Sequence, residues 1–273
     1  MAGFVVRPTQ EHPLLDVVEL WRYRHLFAVL VWRTLKVRYQ QTVIGVAWAV
    51  LQPLLLAFVF TVIFGLLVGV PTDGNQPFPA FALSGLLVWQ FVAQSFQQAA
   101  ASVVINSHLV TRIYFPRILL LLAAISAAFF DLLCVLALMI VFMLWYGIAP
   151  TLGVLAFIPA LLLAAATVLG LALWLGALYV PYRDIGHLLP FLTQIWMFLS
   201  PVFYPLGLLP RMFDQVYALN PIVVVVQTSR WAFAGGQPPP ASMVAVSCAV
   251  AALLLVSGLW FFRRHEGRFA DVV

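Results

Sequence analysis

Six apolar runs divide the chain, and most are as long as the ~20 residues a helix needs to cross a ~30 Å hydrocarbon core. They lie near 43–70, 80–104, 118–146, 152–180, 188–205 and 241–262. Inside lipid every backbone polar group needs a partner within the protein, and a helix supplies all of its own. The runs therefore predict an all-α integral membrane fold with six transmembrane helices. Composition supports this. Hydrophobic residues make up 64% of the 273 positions and charged residues only 8%. An ordinary soluble domain has about 45–50% and about 25%. The fifth run is short and carries Pro190, Pro201 and Pro205.

Loop charge sets the orientation. With both termini in the cytoplasm, Arg7, Arg22, Arg24, Arg33, Lys36 and Arg38 precede the first span. Arg112, Arg117 and Arg183 lie in inner loops, and Arg263, Arg264 and Arg268 in the tail. Only Arg211 and Arg230 fall outside, a strong positive-inside signal. Net charge of +5 is thus explained by topology, and no basic patch tracks a nucleic acid. No cleavable leader is visible, so the N-terminal segment is expected to stay in the cytosol.

Three parts follow: a cytoplasmic segment 1–42, a six-span domain 43–262 and a cytoplasmic tail 263–273. Residues 14–39 have helical apolar spacing with interleaved Trp and Arg, which predicts an amphipathic helix in the cytoplasmic interface. The stretch 206–240 holds apolar pieces near 206–219 and 221–234, parted by Asn220-Pro221. Each is too short to span. They read as re-entrant half-helices, with a folded extramembrane loop as the alternative.

Catalysis finds no footing here. The nine acids do not cluster, and His12, His25, His108, His187 and His265 lack metal-ligand spacing, so no catalytic residue and no metal is expected. Cys134 and Cys248 fall in apolar runs and read as buried free thiols. The only lysine, Lys36, follows no glycine, so a P-loop is absent. If ATP drives this protein, another subunit binds it.

Polar side chains inside the spans are the remaining signal. Asp131 is the only ionisable residue deep in a span, with no basic residue at its depth. It is either functional or bonds a neighbouring helix. Gln90, Gln94, Gln97 and Gln98 share one helical face of the second span. Thr193, Met197, Ser200 and Tyr204 share a face of the fifth, beside Gln194 and Trp196. Trp48 and Gln52 stand one turn apart in the first. Amides with aromatics suit a hydroxyl-rich substrate, and they equally serve as glue between helices. Candidate channel-lining residues are Trp48, Gln52, Gln90, Gln94, Gln97, Trp196, Ser200 and Tyr204.

Two inner loops stand out. INSHLVTRIYFPR at 105–117 has room for a small helix along the membrane face, and Tyr182-Arg183-Asp184 makes a tight charged turn. These segments, with RTLKVRYQQTVIGVAWAVLQPLL (33–55), YRDIGHLLPFLTQIWMFLSPVFYP (182–205), LNPIVVVVQTSR (219–230) and FRRHEGRFADVV (262–273), carry a family pattern. The chain resembles the permease subunits of ABC-2 type polysaccharide exporters, the group of O-antigen, capsule and teichoic-acid permeases. Thr34 departs from the pattern, which often has Asp there.

The resemblance implies a homodimeric pathway in the bacterial inner membrane, with two P-loop ATPase subunits docked below. ATP and Mg would be bound by those partners, with no cofactor in this chain. The cargo would be a lipid-linked polysaccharide moved outward. Residues 106–117 would form the ATPase-coupling helix, through Asn106, Leu109, Arg112, Tyr114, Phe115 and Arg117. Arg183 and Asp184 would mark a second cytoplasmic turn. Asn220, Pro221 and Arg230 would belong to the outer gate. Export of a small amphiphile or drug, an ion-coupled carrier and a non-transporting scaffold are the competing readings.

Overall fold

The least apolar of the long helices is the one that the others surround. The computed structural model describes residues 17–40, 45–72, 76–208, 214–267 and 269. Within them α4 (Phe78–Ile105) has 78% of its most apolar window buried, against 11% for Gly45–Leu67 and 22% for Ala241–Glu266. The reason is solvent. Lipid accepts Leu and Val but gives no partner to an amide, so the glutamine- and serine-bearing helix takes the interior.

Around α4 stand α3 (Trp48–Phe60, continued by a wider turn over Thr61–Leu67), α6 (Ile118–Tyr146) and α7 (Gly153–Tyr179). α11 (Ala241–Glu266) packs on the far side of α7. Gly170 and Gly258 make that contact close: a Cβ on Gly258 would sit 2.5 Å from the Gly170 carbonyl oxygen. Only glycine on both helices lets the backbones approach so nearly.

Before the first span come α1 (Val17–Arg22) and α2 (Arg24–Tyr39), interrupted at Tyr23. Leu20, Tyr23, Phe27 and Val31 turn toward the core, and Leu30 is buried. Trp21, Val29 and Trp32 remain exposed beside Arg24, Arg33 and Lys36. The helix is therefore apolar on two sides rather than one, and its inner side lies on α6.

Among the described residues five helices are long and apolar enough to cross a membrane. The fifth predicted span is shorter than expected. α8 (Ile185–Leu199) has 15 residues, or about 22 Å at ~1.5 Å each. It stops because Ser200 precedes Pro201, and proline forces the residue before it into the extended region. The predicted half-helices also sharpen. The first piece is a single turn at Leu206–Leu208 and α9 (Asp214–Ala218), with 209–213 outside the described residues. The second is α10 (Pro221–Phe233), wedged among α4, α7 and α11 with eleven residues buried. The small loop helix is α5 (Ser107–Arg112). Arg7, His12, Arg211 and Arg268 lie outside the described residues.

One expectation about the thiols fails. Both are free, but Cys134 is half-buried and Cys248 is exposed. An apolar run marks a span, not the side of it that faces inward.

Candidate functional site

A polar cavity of ≈ 530 Å³ opens where the end of α2, the start of α3 and the glutamine face of α4 meet. Heptad-like offsets on α4 put Gln90, Gln94, Gln97 and Gln98 on its wall, and Trp48, Gln52 and Tyr39 face them. Five of the eight candidate channel residues, Trp48, Gln52, Gln90, Gln94 and Gln97, are thereby brought together. The other three are not.

At one end of the cavity lies a network that the residue-by-residue reading missed. Arg38 forms an ion pair with Asp131 of α6 through Nη1. The same nitrogen donates to Gln94 Oε1 at 2.9 Å, and Nη2 donates to Gln98 Oε1. The Tyr39 hydroxyl donates to the other carboxylate oxygen of Asp131. Burial, reinforced by that hydrogen bond, pushes the Tyr39 hydroxyl well above its ordinary pKa and keeps it a donor. So Asp131 does have a basic partner, supplied by α2. A lone acid in a span demands a counter-charge, and Arg38 is the last cation before the first span; that pairing was the available signal.

Trp196, Ser200 and Tyr204 join a second polar knot at the C-terminal end of α8. Trp196 Nε1–H donates to Asn220 Oδ1 at 3.0 Å, and Asn220 Nδ2 donates to Ser200 Oγ at 2.9 Å. The Asn220 oxygen also accepts from the Ile222 N–H at 3.2 Å, which caps α10, with Pro221 in the first helical turn. Tyr204 donates its hydroxyl to the Phe198 carbonyl at 3.0 Å. Arg230, almost wholly buried, donates to the carbonyls of Pro201 (2.5 Å), Val202 (2.9 Å) and Tyr204 (3.2 Å). Those carbonyls belong to the turn that Pro201 leaves without a helix. Gly85 of α4 lets the turn come close, since a Cβ there would meet the Val202 oxygen at 2.5 Å. Trp196 also touches Trp89 and Phe96 of α4 edge-on.

The third group is the corner around α5. Asn106 accepts a hydrogen bond from Arg33 of α2 at 3.2 Å and donates to the Ser102 carbonyl at 2.8 Å. Leu109 is half-buried, Arg112 exposed and Tyr114 strongly exposed. Phe115 is buried in the core, so the adjacent aromatics have opposite surroundings. The Arg117 N–H donates to Glu266 at 2.9 Å, which caps α6 from the end of α11, and its guanidinium lies 5.7 Å from the Phe269 ring. Arg183 and Asp184 are exposed in the turn before α8.

The ABC-2 type transporter family matches residues 25–234, from α2 to the end of α10. This chain belongs to the ABC-2 type transporter family. As an ABC-2 chain it has the cavity, the knot and α5 itself inside the matched region, while Glu266 and Phe269, which meet Arg117, lie beyond it. Its relatives are permeases. It is 30% identical to the O-antigen export system permease protein RfbA of Myxococcus xanthus, over 94% of this chain and 98% of that one. A protein of the same name from Klebsiella pneumoniae is 26% identical over 91% and 95%. The polysialic acid transport protein KpsM of Escherichia coli is 23% identical over 86% and 91%. This ABC-2 chain is an integral membrane protein of the transporter class, not a scaffold.

Proposed function

We propose that this chain is the transmembrane subunit of an ATP-driven exporter that moves a lipid-linked, O-antigen-like polysaccharide outward across the inner membrane. The observation that carries this reading is the cavity: five glutamines with Trp48 and Tyr39, and a cation, Arg38, that is already matched by Asp131. Amide donors and acceptors beside flat apolar rings suit a sugar, and relatives named for O-antigen export and polysialic acid transport agree.

Both termini are cytoplasmic in this reading, and α8 completes a set of six spanning helices. Two copies pair through α3 and α8, whose outer faces carry exposed apolar residues such as Phe58, Leu66, Phe191 and Phe198. Two P-loop ATPase subunits dock below and bind ATP and Mg. Their closure presses α5, through Arg112 and Tyr114, and α3 and α8 part. The glycan then threads past the cavity toward the knot of Trp196, Ser200, Tyr204 and Asn220, with Pro221 and Arg230 behind it as the outer gate.

Gentle solubilisation of the tagged chain, followed by mass and composition of what accompanies it, tests the assembly. Two copies with two P-loop ATPases are expected, and ATPase activity that rises with a lipid-linked glycan. A stable assembly of this chain alone, under conditions that preserve such complexes, would overturn the reading.

A further inference from the structure

A guanidinium has five N–H donors and no acceptor. An amide that touches it must therefore offer its oxygen. Arg38 takes the Oε1 atoms of both Gln94 and Gln98. Each amide nitrogen is then turned to the other side, and both residues line the cavity. Neither nitrogen has a hydrogen bond to another described residue. Free of Arg38, either amide can rotate by half a turn and show oxygen instead, because its two ends have nearly the same shape.

Asp131 fixes the direction of this chain of bonds. Its two oxygens are engaged by Arg38 and Tyr39 at the end of α2. Arg38 is thus held between the carboxylate on α6 and the amides on α4. Its charge is matched within the protein, so among the described residues the cavity has no spare cation for a phosphate. What it offers is a pair of neutral N–H2 groups in a cavity that Trp48 also lines.

We propose that Arg38 and Asp131 are positioning residues that hold Gln94 and Gln98 as hydrogen-bond donors, making this cavity a binding site for the acceptor oxygens of neutral sugar rings. The inference rests on the export reading only in taking the cavity as a place the cargo visits. Its volume of ≈ 530 Å³ falls within the ~300–1,000 Å³ of small-ligand sites. That is room for a short run of sugars, not for a whole polymer.

The test uses the full chain in lipid nanodiscs. Cys134→Ala and Cys248→Ala remove the native thiols, and Ala93→Cys places one on the cavity wall. The rate of its modification by a hydrophilic maleimide is measured against increasing maltoheptaose. Protection is expected. Gln94→Glu and Gln98→Glu, made singly at pH 8, keep an oxygen for Arg38 but have no N–H2, and each should raise the half-protecting concentration about tenfold. Arg38→Gln should do the same, and Arg38→Lys should recover most of the loss. Should Arg38→Gln not fold, the two Glu variants decide alone, since they leave the ion pair in place. No protection, or equal protection in both Glu variants, overturns the inference. Protection in a chain that assembles with no ATPase would leave the sugar site standing and end the export reading. Export with no protection would do the reverse.

Discussion

Arg230 holds its guanidinium carbon 3.9 Å from the centre of the Phe81 ring, while its nitrogens cross to three carbonyls in the turn after α8. One side chain from α10 thus joins α4 to the broken end of α8. A cation on an aromatic face, deep in the protein, satisfies carbonyls that a proline-terminated helix exposes. Arg230→Met keeps the bulk and leaves those carbonyls without a donor. We expect a loss of roughly 3 kcal/mol of stability, because hydrogen bonds to charged groups contribute about 1.5–3 kcal/mol each and some desolvation cost is recovered. A lowered melting temperature in detergent checks this, and an unchanged one would show the turn holds without it.

Asn220 gives a graded case. Its oxygen caps α10 and accepts from Trp196, and its nitrogen binds Ser200. Asn220→Asp keeps the two accepted bonds and loses those that the nitrogen donates, to Ser200 and, at 3.5 Å, to the Leu199 carbonyl. Asn220→Ala loses all four and should cost about 1–2 kcal/mol, in the range of a lost cap. Thermal unfolding should rank wild type first, Asp second and Ala last; any other order contradicts the bonding described.

Tyr114 and Phe115 should separate function from stability. Tyr114 projects outward beside Arg112, and Phe115 is in the core. Tyr114→Ala or Arg112→Glu should reduce export at least tenfold with the fold and ATPase activity retained. Phe115→Ala should instead destabilise by on the order of 3 kcal/mol, as for other buried phenylalanines. Full export in the first two variants would remove α5 from the coupling route.

At the crossing of α7 and α11, Gly170 and Gly258 test the packing rather than the chemistry. A Cβ on Gly170 would lie 2.6 Å from the Leu254 carbonyl carbon, so backbone rather than side chain must move. Gly170→Leu should part the helices and lower the yield of folded protein several-fold. A disulfide between cysteines placed at this crossing should form in the wild-type background and fail in the variant.

Much of this is legible in the residues because lipid makes simple demands. The amide face of α4 follows from spacing alone, and it lines the cavity as its period requires. The α5 helix follows from a local signal as well. Arg38 and Asp131 are 93 positions apart, and no periodicity joins them. The grouping of Trp196, Ser200 and Tyr204 with the glutamines fails for a related reason. A shared face says which side a residue is on, not which helix stands opposite. The early stop of α8 was within reach, since Pro201 restricts Ser200 by sterics that need no tertiary contact. Tyr114 and Phe115 differ only in what lies across from them, which is a property of the assembled bundle.

The central place of α4 bears on how the chain enters the membrane at all. A segment with a mean hydropathy of 1.2 and four glutamines partitions into lipid far less readily than its neighbours at 2.4 and 2.7. It leaves the ribosome after α3 and before α6 and α7, the helices that cover most of it. Until α6 arrives, its amides have neither water nor Arg38's ion-pair partner, because Asp131 has not yet been made. The insertion machinery must hold α4 at its margin for about the time needed to synthesise the next span. Slowing translation between positions 105 and 131 should therefore expose this helix, and not the more apolar ones, to quality-control proteolysis.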